Sequence, residues 1–309
     1  MTVLSQTETF AHLRLASEIA GLDVHDVVAP SDHHLVVDGL RLHYLDWGAP
    51  ARHARPSLLF LHGGRLTAHT WDLVCLTLRS RFRCVAIDLR GHGDSEWSPG
   101  IDYALAAHVR DVRGVIEQLG MRRPVLIGHS LGGLHAMTYA VDAAHELAGL
   151  VLVDVAPEVQ QAGAQRIVNF GLNDLGSGSL EDFVGRALAF NPRRDPRLLR
   201  YSLQHNLRQL PDDNWTWKWD PRRNTPEHYA SIEHDLAQLA GAASAITCPT
   251  LVVRGAESDV LSATQAADFA ATLPNGSTAE VPAAGHNIQG DNPRGLTRVL
   301  TDFITEIDG

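Results

Sequence analysis

Five short runs of nearly uninterrupted apolar residues punctuate the chain: SLLFL at 57–61, CVAI at 84–87, PVLI at 124–127, LVLV at 150–153 and TLVV at 250–253. A strand with one wet face alternates polar and apolar residues, whereas a strand covered on both faces reads as these runs do. The pattern between them is helical: 70–78, then 103–119 with Leu105, Val109, Val112, Ile116 and Leu119 about one turn apart, then 131–143. Strand, helix and strand in that succession predict an α/β protein on a mostly parallel sheet. Ahead of them, 34–37 and 40–47 read as a hairpin turned at Asp38-Gly39, the entry edge of that sheet.

The succession breaks after Ala156. Residues 157–240 offer no comparable strand, only helix-like pieces around 180–190 and 198–210, a glycine-bearing stretch at 171–178 and the aromatic run NWTWKWDPRR. The Leu, Phe and Trp side chains here need cover, so the segment is expected as a helical cap or lid over the sheet rather than a linker. The sheet pattern resumes at Thr250, continues through 277–281 and closes with a helix at 295–304. The expected organisation is a core of 31–156 and 241–309, a cap of 157–240, and an N-terminal extension of 1–30. Within that extension, 4–22 form either an amphipathic helix laid on the domain or on a partner subunit, or a frayed tail. A chain of 309 residues suits one such core.

Charge and composition exclude several classes. Thirty-six acidic groups against 26 basic ones give a formal charge of −10, which opposes attraction to polyanions, and no dense Lys/Arg block or zinc-finger spacing restores it. No nucleic-acid partner is expected. Cys75, Cys84 and Cys248 form no CxxC pair or His/Cys ligand cluster and read as small buried hydrophobes. Calcium-type carboxylate loops are also absent, so the chemistry is expected to use no metal and no cofactor. No apolar run approaches the roughly 18 residues of a spanning helix, and the first 30 residues lack a basic start leading into an apolar core. A cytoplasmic protein without a membrane partner, monomeric or homodimeric, is the expectation.

The chemistry gathers where strands are predicted to end. In GHSLGG at 128–133, Ser130 lies between PVLI and a helix, with Gly128 and Gly132 two residues to either side. Such glycines permit a turn tight enough to lift the hydroxyl above the sheet edge with helix amides beneath it. A free serine is a poor nucleophile, so the arrangement needs a general base. His286, in AGHN directly after the last predicted strand, supplies one. Asp259, in RGAESD after TLVV, is the acid expected to hold the imidazole tautomer. Asp154, directly after LVLV, is the backup acid, and Glu257 the third choice. The order Ser130, Asp259, His286 is that of one triad arrangement among three unrelated ones.

An attacked carbonyl needs preorganised donors for its developing charge. The Leu131 amide qualifies by following the nucleophile at a helix start. The second is expected in LHGGRLTAHTWD, from Gly64, with Arg65 the near alternative. His62 and His129 are read as loop histidines that hydrogen-bond backbone. The turn DLRGHGDS at 88–95 lacks both GxGxxG and Walker spacing and reads as scaffold, with Arg90 and Asp94 paired or capped.

Together LHGG, DLRGHGDS, GHSLGG, LVLVDVAP, TLVVRGAESD and the late GH resemble the α/β-hydrolase superfamily, in its single-domain branch of esterases, lactonases, haloperoxidase-like enzymes and carbon–carbon hydrolases. The resemblance spans about 34–156 and 245–305. It implies the α/β-hydrolase fold, a mostly parallel eight-stranded sheet flanked by helices, with a helical cap inserted after strand 6. Some members place their acid at the position of Asp154. Haloalkane dehalogenases and related epoxide hydrolases carry aspartate where this chain has Ser130, which disfavours alkyl-enzyme chemistry. Several carbon–carbon hydrolases carry HGxGPGA where this chain reads HGGRLTA.

The expected activity is a serine esterase or lactonase working through an acyl-enzyme on a small-molecule ester or lactone. The alternatives are a carbon–carbon hydrolase, or a nonhydrolytic lyase or acyltransferase on the same scaffold. Trp215, Trp217, Trp219, Phe170 and Arg65 are the candidate pocket residues. The tryptophans serve equally well as packing between cap and core. If extended, their segment would put Trp215 and Trp219 on one side.

Overall fold

The computed structural model describes residues 6–23, 26–49, 56–173, 177–223 and 225–308. In chain order the strands are β1 (Ser31–Val37), β2 (Leu40–Asp46), β3 (Leu58–Leu61), β4 (Cys84–Ile87), β5 (Val125–His129), β6 (Gly149–Val153), β7 (Leu207–Gln209), β8 (Trp215–Trp217), β9 (Thr250–Gly255) and β10 (Gly276–Val281). The helices are α1 (Gln6–Ile19), α2 (Asp72–Leu78), α3 (Leu105–Gln118), α4 (Leu131–Ala143), α5 (Gln161–Asn173), α6 (Leu180–Phe190), α7 (Pro196–Asn206), α8 (Pro226–Ala242), α9 (Ala263–Thr272), α10 (Ile288–Asp291) and α11 (Pro293–Asp308).

Eight strands form one sheet in the order β1-β2-β4-β3-β5-β6-β9-β10. The β1–β2 and β2–β4 pairs are antiparallel and every other pair is parallel. Successive residues of the central strands go to opposite sides. Leu59, Leu61, Leu126, Leu150, Leu152 and Val252 join one apolar core beneath α3, α4 and α9, while Leu58, Phe60, Val125, Ile127, Val151 and Val253 join the other beneath α2 and α11. Two covered faces are the reason the runs read as continuously apolar. The three cysteines are buried and unpaired among these residues.

The insertion between β6 and β9 carries α5 to α8. Its own small core is Leu180, Phe183, Val184, Leu199, Leu203 and Leu207. Contrary to expectation it also contains strands: α7 ends at Asn206, and Leu207–Gln209 pairs antiparallel with Trp215–Trp217. The helix period of 198–210 runs into a hairpin because Pro211, Asp212 and Asp213 supply a turn that pairs the flanking residues. At the N-terminus, α1 buries Leu13 and Ala16 in the core shared with α2, so residues 6–19 form a helix laid on the domain, while residues 4 and 5 of the expected segment lie outside the described residues.

The 88–95 turn is organised by Asp88, which is buried and accepts hydrogen bonds from the amides of Ala68 (2.6 Å) and Asp94 (2.8 Å) and from His43 Nδ1 (2.7 Å). Arg90 does not pair with Asp94. It makes a bidentate pair with Asp111 of α3, and Asp94 binds Lys218 of the insertion. His43 also meets Asp32 through Nε2 at 3.1 Å.

Burial pushes the His43 imidazole down, but its bonds to Asp32 and Asp88 outweigh this and raise its pKa to about 10. The folded state therefore holds a proton that an unfolded imidazole, near pH 6.5, does not. The stabilisation is complete below about pH 6.5 and is lost as pH rises through about 10. Urea midpoints measured at pH 6, 8 and 10 are expected to fall steadily, and the His43→Gln variant is expected to lose most of that slope.

Candidate active site

Ser130 sits between the end of β5 and the first turn of α4 with φ 50° and ψ −119°. A residue other than glycine held at positive φ costs about 1–3 kcal/mol, tolerated where the surroundings over-determine it. Here they do. A Cβ on Gly128 would lie 2.4 Å from the Gly132 carbonyl, and one on Gly132 would lie 2.5 Å from the carbonyls of Leu61 and His62. The glycines let β5, α4 and the loop after β3 approach at backbone distance, and the serine hydroxyl is pushed out of the turn.

His286, on the loop after β10, brings Nε2 to 3.1 Å from Ser130 Oγ. Its Nδ1 lies 2.7 Å from Asp154 Oδ2. A carboxylate only accepts, so Nδ1 carries the proton and Nε2 is free to accept from the serine hydroxyl.

The carboxylate on His286 is that of Asp154, and Asp259 does not occupy the expected place. Asp154 directly follows β6, next to β5 in the sheet, and its positive φ of 53° turns the side chain under the β9 loop. It is fully buried and accepts three hydrogen bonds: from the Gly255 amide (3.0 Å), the Ser258 hydroxyl (2.5 Å) and His286. Three donors compensate a charge that burial would otherwise leave costly. Asp259 lies beyond the Ser258 turn, which carries it outward. Its half-exposed carboxylate pairs with Arg166 of α5 at 2.7 Å. Glu257 likewise faces Arg193, at 2.6 Å.

His62 and His129 both bind backbone. His62 Nδ1 donates to the Gly63 carbonyl (2.7 Å), and its Nε2 accepts from the Leu89 amide (3.0 Å). His129 Nε2 donates to the carbonyl of His286 (2.9 Å), while its Nδ1 accepts from Gln289 (3.2 Å). Burial holds both imidazoles neutral, well below the ordinary histidine range for His129, where the neighbouring His286 adds to the effect. Asp291 binds the Gly285 amide at 2.9 Å from the other side of the loop. Ser258, Gln289 and Asp291 were not distinguished in the sequence. Only the polar character of their loops marks them there, and that is common to every loop.

The loop after β3 closes a turn from Leu66 N–H to the Gly63 carbonyl (3.2 Å), with Arg65 at φ 63°. Gly64 faces the start of α4, where a Cβ on it would lie 3.7 Å from the Leu131 side chain. The first amides of α4 have no acceptor within their helix. Arg65 lies over the Trp219 ring at 5.1 Å and reaches the Ile167 carbonyl of α5. Trp217 packs edge-on against Phe183, and both it and Trp215 cover the insertion's core, while Trp219 is buried against the sheet domain. Phe170 packs on Phe190 at 4.5 Å.

The profile described as "Alpha/beta hydrolase family" matches residues 58–299. The chain belongs to the alpha/beta hydrolase family. The esterase Rv0045c of Mycobacterium tuberculosis is 31% identical over 305 residues, covering 93% of this hydrolase and 97% of that protein. The 3-hydroxybutyrate-oligomer hydrolase of Cupriavidus necator is 30% identical over 261 residues, covering 80% and 87%. The crystal structure of the mycobacterial esterase superposes with a TM-score of 0.75 at 27% identity, over 98% of this chain and all of that one. The scaffold therefore carries hydrolase-type chemistry, on an eight-stranded, mostly parallel sheet with a helical insertion after β6. Among the described residues no helix is long and apolar enough to cross a membrane.

A side chain at 132 must displace two backbone carbonyls, neither of which can rotate away. Gly132→Ala is expected to lower stability by about 1–3 kcal/mol in urea titration.

Proposed function

We propose that the protein is a serine hydrolase that cleaves a small carboxylic ester or lactone through an acyl-enzyme, with Ser130 as nucleophile, His286 as general base and Asp154 as the acid that holds it. The observation that carries this reading is the hydrogen-bonded chain from Asp154 Oδ2 through His286 to Ser130 Oγ, with links of 2.7 and 3.1 Å.

His286 Nε2 takes the hydroxyl proton as Ser130 Oγ attacks the carbonyl carbon. The resulting imidazolium is stabilised by the buried carboxylate of Asp154. The oxyanion is received by the amides of Leu131 and Gly64. His286 then gives its proton to the leaving alkoxide, which departs as the alcohol. It next deprotonates the water that cleaves the acyl-enzyme, and Ser130 recovers its proton as the acid leaves. The esterase and the 3-hydroxybutyrate-oligomer hydrolase among the relatives support an oxygen ester over a carbon–carbon bond. We assign the insertion, 157–240, the role of a lid that closes over the acyl group.

The reading is tested by fluorophosphonate labelling and by turnover of a chromogenic short-chain ester. Ser130→Ala is expected to abolish both. Asp154→Asn is expected to lower kcat by about 10³- to 10⁴-fold, because the amide can no longer hold the Nδ1–H tautomer. Asp259→Asn is expected to leave kcat within a factor of about three, since it removes only an exposed ion pair. Full loss in Asp259→Asn with little loss in Asp154→Asn would return the acid to the later loop.

A further inference from the structure

Outside the Ser130 constellation, three elements converge beside α2. His69 lies in the single turn Ala68–Trp71, Asp72 begins α2, and His205 stands near the end of α7 in the insertion. Among the described residues these three each offer a ligand atom within 4.8 Å of the other two. The His69 and His205 rings stack with centroids 3.7 Å apart. Asp72 Oδ2 accepts from His69 Nδ1 at 2.9 Å and from the Tyr201 hydroxyl.

What remains unsatisfied points to an occupant. Asp72 Oδ1 and His205 Nε2 are buried without a hydrogen-bond partner, on side chains 2% and 8% exposed. His12 of α1 also has its Nδ1 buried without a partner. Native interiors seldom leave such atoms unpaired, and each asks for a reason.

We propose that His69, Asp72 and His205 bind one divalent transition-metal ion of the zinc type, which fastens α7 of the insertion to α2 of the sheet domain. Two imidazoles and one carboxylate suit zinc, nickel or copper and not the oxygen-seeking magnesium or calcium. Metal–ligand bonds of about 2.1 Å put donors of a tetrahedral ion about 3.4 Å apart, so an ion here replaces the His69–Asp72 hydrogen bond, whose atoms at 2.9 Å move apart to admit it. The ion is outside the proposed hydrolytic steps and acts on the docking of the insertion.

Full-length protein stripped with EDTA and dialysed free of it is titrated with ZnCl₂ in a calorimeter and melted with and without the metal. Wild type is expected to bind one ion per chain and, at a hundredfold excess over Kd, to melt about 4 °C higher. His205→Gln and His69→Gln are each expected to weaken binding by about 100-fold and to lose the shift. His205→Gln leaves the Asp72–Tyr201 bond intact, and circular dichroism checks its fold. Absence of saturable binding in wild type overturns the proposal. So does binding that both variants retain, which would place the ion on exposed histidines such as His33.

Discussion

The buried carboxylate of Asp154 is the point on which the site's geometry turns. Removing a charge completely from water is unfavourable unless every oxygen finds donors. Its three donors come from Gly255 at the end of β9, Ser258 in the following turn and His286 beyond β10. Satisfying one carboxylate therefore ties three separate strand ends together. The Ser258 hydroxyl has the further task of accepting from the amides of Val260 and Leu261, which folds the turn and sends Asp259 outward. The same hydroxyl that completes Asp154 thus excludes its rival.

Neutral imidazoles brace this centre from the side opposite the acid. His129 holds the carbonyl of His286, and His62 pins the glycine turn after β3 to Leu89. A charged imidazole, with two donors and no acceptor, could satisfy neither arrangement, so burial that keeps these rings neutral is part of how they work. His43 is the reverse case. Two carboxylates raise its pKa, and the ion cluster it forms supports the 88–95 turn from below.

The sheet was legible because its signal is collective. Five apolar runs at crossover spacing admit few topologies, and the alternation of their residues between two cores explains their composition. GHSLGG was legible because backbone crowding leaves glycine no substitute at 128 and 132. The acid was not, for a physical reason. Asp154 and Asp259 each follow an apolar strand, and nothing in the local sequence records that Ser258 reverses the chain between Gly255 and Asp259. That choice depends on contacts across two strands. The hairpin of the insertion was hidden similarly, since three-residue strands carry too little period to outweigh the helix before them.

The insertion itself is joined to the sheet domain in a particular manner. It keeps an apolar core of its own, while many of its contacts with the domain are polar: Asp220 with Tyr103, Lys218 with Asp94, Asn206 with Thr67, Tyr201 with Asp72, and Arg166 with Asp259. Apolar contact also joins the two: Leu239 of α8 lies in the core beneath α4 with Ile232 and Leu236 packed against it, and Tyr201 of α7 lies in the core beneath α2 with Leu198 beside it. A polar contact exchanges protein partners for water at little net cost, so these bonds give direction more than stability to the docking of the insertion. Asp259 belongs to these polar contacts and not to the hydrogen-bonded chain at Ser130. The carboxylate four residues past the end of β9 is therefore engaged by Arg166 of α5, while Asp154 holds the imidazole.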